Sequence, residues 1–261
     1  MRRLFLLAFV SIFSLTSQAE IIVLSGVYQG LDVYIKNPFS GDGVGFCVFE
    51  VLVNGEITSD EVNSSAFAVD LSLFELNIGD PVEIVIRSKS DCNPKVINPE
   101  AIKPRSTFEV SKIEVQGESD LTWRTTSESG ALPFVVEQFK WNKWVKIGEV
   151  TGEGDAGPND YIFRVKLTSG ANEFRVKQAD AEGTRTSSKV SVQSDKPPVN
   201  IINKKVFDLL EFNSETQYEV FDDFGSLMAQ GYGSFVDLSD KSKGRYYVNY
   251  GAKFGEVINK K

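Results

Sequence analysis

Hydrophobic positions along this chain recur with a period of two, and no stretch holds an apolar face at helical spacing for more than a turn or two. Runs at 31–35, 46–53 and 82–86 are rich in β-branched and aromatic residues and bounded by turn formers, the pattern of strands. Asn54-Gly55 between two such runs predicts a two-residue hairpin, because that pair accepts the positive φ angles of a type I′ turn. Pro81 opens the next strand, where a missing N–H costs little. Pro94, Pro99 and Pro104 make 90–106 a connector that leaves the first domain, since proline fits neither a helix interior nor a central strand.

Alternation resumes at 108–115 and continues through 121–123, 134–139, 144–147, 161–167, 172–177 and 188–192. About seven strands with turns every 8–12 residues is the signature of an immunoglobulin-like sandwich. Asp195-Lys-Pro-Pro198 breaks the pattern, and this linker is expected to isolate the C-terminal segment. In that segment a shorter set occupies 218–221, 234–238, 245–248 and 255–258. The expectation is an all-β protein of tandem sandwiches: 20–106, 107–195, and a small C-terminal β-sandwich at 199–261.

The N-terminus reads as an export signal. Arg2 and Arg3 precede an apolar run from Leu4 to Leu15, and Ser17-Gln-Ala19 places small residues where a signal peptidase cuts, so 1–19 is expected to be removed. The run is too short to span a bilayer. Cys47 and Cys92 suit an oxidising destination, and an even cysteine number points to a disulfide. Two buried thiols that never meet are the other arrangement the count permits. Closing a loop of about 46 residues would stabilise the first domain by roughly 4 kcal/mol in the chain-entropy model.

Candidate chemistry is sparse. The 261 residues contain no histidine, which removes the usual general base and transition-metal ligand, and with them histidine triads and zinc helices. A net charge of -8 opposes binding to nucleic acid and to anionic membranes. Gly41-Asp-Gly-Val-Gly45 lacks both the lysine and the helix of a phosphate loop, and reads instead as a glycine loop beside Cys47. The interleaved Phe139-Lys-Trp-Asn-Lys-Trp-Val-Lys146 offers Trp141, Lys143 and Trp144 to a protein or a glycan. Its other reading is a strand with Trp141 inward and the lysines solvated. Phe39 and Phe46 complete the candidate interface. The acidic stretches 155–160 and 222–223 have the composition of calcium loops but not their ligand order, which favours turn chemistry. No feature selects two carboxylates for glycoside hydrolysis. No cofactor, metal or catalytic residue is expected.

Two resemblances sharpen this reading. Leu121-Thr-Trp123, Phe134-Val-Val-Glu-Gln138, Trp144-Val-Lys-Ile-Gly-Glu-Val150 and Gly170-Ala-Asn-Glu-Phe-Arg-Val-Lys-Gln-Ala-Asp180 resemble the fibronectin type III-like modules of bacteria that use type IX secretion. The resemblance covers nearly all of 107–194 and implies that Trp123 plugs the core. Tyr218-Glu-Val-Phe-Asp-Asp-Phe-Gly225, Val236-Asp-Leu-Ser239, Gly244-Arg-Tyr-Tyr-Val248 and the terminal lysines resemble a type IX C-terminal sorting domain. That family opens Tyr-Pro-Asn-Pro, whereas this chain has Pro197-Pro-Val-Asn200, a departure that points to a retained docking module. Asn37-Pro-Phe-Ser-Gly-Asp-Gly-Val-Gly-Phe-Cys47 and Lys89-Ser-Asp-Cys-Asn-Pro-Lys95 are similar to exported proteins of the same bacteria. Together they imply a non-enzymatic periplasmic protein at the outer membrane that docks onto an envelope complex, as an accessory or plug component of the type IX translocon. The alternative is a secreted or cell-surface cargo, or a glycan-binding module.

Overall fold

The computed structural model describes residues 19–41, 43–90 and 92–261, so the expected signal segment lies outside the described residues except for Ala19. The chain forms two compact units that divide between Lys103 and Pro104.

The first unit is a sandwich of two antiparallel sheets. One has the order Glu20–Val27, Pro81–Ser88, Val48–Val53, Glu56–Ile57; the other has the order Ala66–Val69, Val33–Lys36, Lys95–Val96. Alternation sets the inward faces: Val82, Ile84 and Ile86 are buried, as are Val33, Ile35, Val51 and Val53. Asn54 and Gly55 both take positive φ, as the hairpin requires. Cys47 and Cys92 are joined and buried, with Cα atoms 5.6 Å apart. Beside them the buried Asn37 amide is satisfied, donating to the Val62 carbonyl and accepting from the Val48 N–H.

The expected connector at 90–106 carries two short elements that serve the first unit. Lys95–Val96 adds an edge strand to the second sheet, and the 3₁₀ turn Pro99–Ile102 drives Ala101 and Ile102 into the core. Its prolines are compatible because they stand before an edge strand and at the start of the turn, where no N–H is needed.

The second unit opens with a sandwich of strands Glu109–Gln116, Asp120–Thr126 and Asn159–Arg164 facing Lys143–Thr151, Pro133–Lys140, Gly170–Ala179 and a split last strand. In chain order this is A-B-E against C′-C-F-G, the immunoglobulin and fibronectin type III arrangement. Trp123 fills the core as expected, stacked on Tyr161 and edge-on to Phe134. The buried Glu128 carboxylate closes one end. It accepts from the Tyr161 hydroxyl, the Thr125 hydroxyl and the Gly154 N–H.

The C-terminal segment is one five-stranded sheet, ordered Lys205–Val206, Lys253–Lys260, Gly244–Tyr250, Leu209–Phe221, Leu227–Asp237. The hairpin Leu209–Phe221 with Leu227–Asp237, at one edge of the sheet, is far longer than the short runs at 218–221 and 234–238 predicted. A register break between Glu211 and Thr216 bends it, as an insertion of this kind must. Both halves then feed one core: Leu210, Phe212, Val236 and Leu238 from one, Val220, Val248, Tyr250 and Ile258 from the other and its neighbours.

Candidate interaction surfaces

In the second unit the C–C′ hairpin turns through Trp141 and Asn142, and both are left-handed, with φ of 55° and 60°. Tryptophan has no local reason to adopt that conformation, which costs roughly 1–2 kcal/mol for an L-residue. A tertiary contact holds it. The indole is buried, and its N–H donates to the carbonyl of Gly251 at 3.2 Å, at the tip of the last hairpin of the C-terminal sheet. Gly251 itself has φ 52°, and its N–H donates to the buried Thr216 hydroxyl.

Two expectations are corrected by this joint. Trp141 is a turn residue locked between modules, neither on a strand nor free to bind a partner. Nor does the Pro197-Pro198 linker isolate the last domain, because side chains far from the linker join it to the sandwich.

The flanking lysines continue the joint. Lys143 pairs with Glu219 at 2.8 Å and 2.9 Å, and Asn249 donates to the same carboxylate. Lys140 is only 9% exposed, and among the described residues its ammonium donates to Gln217 Oε1 at 3.3 Å and stands 5.5 Å from the Trp141 ring centroid. Burial without a counter-charge lowers its pKa from 10.5 to about 8.

Beside the joint lies a cleft of about 1200 Å³. One wall is Trp144–Ile147 and Lys166; the other is Gln217–Glu219 and Gln230–Tyr232. Trp144 is half-buried, with the Arg175 guanidinium 4.2 Å over its ring and Phe139 edge-on at 5.4 Å. Lys166 stands 3.5 Å over Tyr232. On the same sheet Glu137 is buried. Burial would raise its pKa, but hydrogen bonds from Lys177 and Arg175 outweigh that and hold it below the usual range.

In the first unit the Phe39 and Phe46 rings meet edge-on at 5.4 Å, with Phe39 59% exposed. A larger surface was not anticipated. The register aligns Val23, Val85, Leu52 and Ile57 directly opposite one another, one from each strand of the four-stranded sheet, all on its outer face. Val23 is 53% and Ile57 67% exposed. Ile21, two residues from Val23, and Phe49 add further exposed apolar side chains, and the Arg87–Glu50 ion pair lies beside the row. The outward face of an antiparallel sheet is normally polar, so an apolar row across all four strands is a candidate interaction surface.

The acidic loops do turn chemistry. Asp155 caps the Gly157 N–H, and Asp160 accepts from Nε and Nη2 of Arg124, which keeps its carboxyl below the usual range. Asp222 accepts from Phe224 and Ser226, and Asp223 pairs with Arg245.

No protein-family model matches the chain, and no curated protein matches it. Among solved structures it is similar to a tetra-tandem repeat in the extending region of a large adhesion protein, at 12% identity, TM-score 0.33, covering 94% of this chain and 73% of that one. It is also similar to the FN1–FN3 domains of chicken CNTN1, at 13% identity, TM-score 0.25, covering 94% of each chain. The fold assignment therefore rests on the strand order itself.

Proposed function

We propose that this chain is an exported, non-enzymatic protein that acts by docking onto other proteins of the cell envelope. The observation that carries the reading is the apolar row Val23–Val85–Leu52–Ile57 on the open face of the first sandwich. Such a face recovers free energy when another protein covers it, at about 25 cal/mol per Å² of apolar area. Export is supported by the signal-like N-terminus and the Cys47–Cys92 disulfide, which suits an oxidising compartment. The absence of histidine leaves little for catalysis to use.

The envelope complex we assign is the type IX outer-membrane translocon, with this chain as an accessory or plug component on the periplasmic side. Support for that assignment is the likeness of 170–180 and 218–225 to type IX-associated modules. A sandwich and C-terminal sheet joined through Trp141 in one compact unit suit a docking subunit better than a cleavable sorting tail.

The test is co-purification from detergent-solubilised envelopes of the cell of origin. The wild-type chain should be recovered with the outer-membrane complex, and the double variant Val23→Lys/Ile57→Lys should be lost from it while its circular dichroism is unchanged. Equal recovery of both, or accumulation of tail-cleaved protein in the medium, would overturn the reading.

A further inference from the structure

We infer that the cleft of the second unit is a binding site for an extended acidic peptide segment. This names a partner chemistry for the docking function and rests on that reading.

Charge is the first ground. In a chain of net charge -8, this cleft gathers Lys140, Lys143, Lys146, Arg164, Lys166 and Lys196 against Glu215 and Glu219 alone. Lys143, Lys146 and Arg164 have carboxylate partners in Glu219, Glu149 and Asp120. Lys140, Lys166 and Lys196 have none within 4 Å among the described residues. Of these Lys140 matters most. Its ammonium has three N–H donors, nine-tenths of the residue is buried, and one amide oxygen at 3.3 Å with the Trp141 ring centroid 5.5 Å away is a weak match, since neither carries a full negative charge. An unpaired ammonium is expensive to bury, and an incoming carboxylate would remove that cost.

Shape is the second ground. The cleft exceeds the roughly 300–1,000 Å³ of small-molecule pockets. Both strands beside it are sheet edges: among the described residues Lys143–Thr151 pairs only with Pro133–Lys140, and Leu227–Asp237 only with Leu209–Phe221. Edge strands offer backbone N–H and C=O groups to an added extended chain.

The third ground separates a peptide from a glycan. Sugar recognition uses open aromatic faces, and here each ring already has a cation over one face or is buried. Arg175 covers Trp144, Lys166 covers Tyr232, and Trp141 is buried in the joint.

The experiment titrates the full isotope-labelled chain with a blocked decapeptide alternating Glu and Val, followed by amide NMR shifts. An alginate oligosaccharide of equal charge serves as the second probe. Shifts should concentrate on 144–147 and 230–232. The dissociation constant should rise about tenfold in both Lys140→Met and the exposed-site variant Lys166→Glu, the latter deciding the matter if the former repacks the joint. Unchanged affinity in Lys166→Glu, shifts confined to other surfaces, or binding of alginate without the peptide would each overturn the inference. Loss of peptide binding with wild-type envelope co-purification intact removes this inference alone. Loss of co-purification in Val23→Lys/Ile57→Lys with peptide binding intact leaves it standing.

Discussion

Two hairpins in this protein turn through the same two-residue geometry for opposite reasons. Asn54-Gly55 takes positive φ because both residues tolerate it, and the Asn54 side chain only adds bonds to Pro81 and Glu83 of the neighbouring strand. Trp141-Asn142 takes the same shape against the preference of tryptophan, and a contact 110 residues away in sequence keeps it there. The first turn is a local instruction. The second is a consequence of assembly, and the residue that breaks the local rule is the one that joins two modules. A turn residue that fits its conformation poorly is therefore a pointer to the surface it serves.

The largest effect should come from the joint. Trp141→Ala keeps the unfavourable φ and empties the buried indole site, so unfolding by denaturant should show a loss of about 3–5 kcal/mol, comparable to Trp123→Ala in the core. A loss below about 1 kcal/mol, the scale of the φ cost alone, would mean that the hairpin is locally specified after all, and the contrast would fail.

Reducing the Cys47–Cys92 bond should lower the stability of the first unit by roughly 4 kcal/mol while the second melts unchanged, as read by two calorimetric transitions. Equal shifts in both transitions would contradict their separation.

Lys140 gives a pH-dependent effect. Its folded pKa, about 8, lies below the ordinary 10.5, so the folded state binds fewer protons between those values. Below about pH 8 both states are protonated and the burial penalty is fully present. It disappears as pH rises towards 10.5. Lys140→Met should therefore be more stable than wild type by up to roughly 3 kcal/mol at about pH 7, and the difference should vanish near pH 10.5. A pH-independent difference would show that the ammonium is not held buried.

The smallest effect belongs to the local turn. Asn54→Ala should lose about 1 kcal/mol by equilibrium unfolding, through positive φ and the lost side-chain bonds to the next strand. If it costs as much as Trp141→Ala, the two turns do not differ in kind.

The sandwich cores were legible because alternation at 82, 84 and 86 and the Leu121-Thr-Trp123 segment carry their own periodicity. Trp144 at a half-exposed surface was legible too, through its flanking lysines. The joint was not. Trp141-Asn142 lacks the glycine that announces a hairpin, and its partner Gly251 is remote in sequence. The apolar row escaped for a different reason. Runs such as 46–53 are apolar on both faces, and a sequence read along one strand shows that it is hydrophobic, not which face another strand or sheet covers. Only the register that sets Val23, Val85, Leu52 and Ile57 side by side reveals an open row. The two short elements within 90–106 were missed because prolines exclude interior strands but not edge strands or 3₁₀ turns.

The most direct test of the docking account is site-specific photo-crosslinking in living cells, with the photoreactive residue placed at Ile57 on the apolar row or at Glu118 in an exposed turn of the second unit. The account predicts one discrete high-mass adduct with an outer-membrane protein from position 57 and none from position 118. No adduct at 57, or the same adducts from both positions, would contradict it.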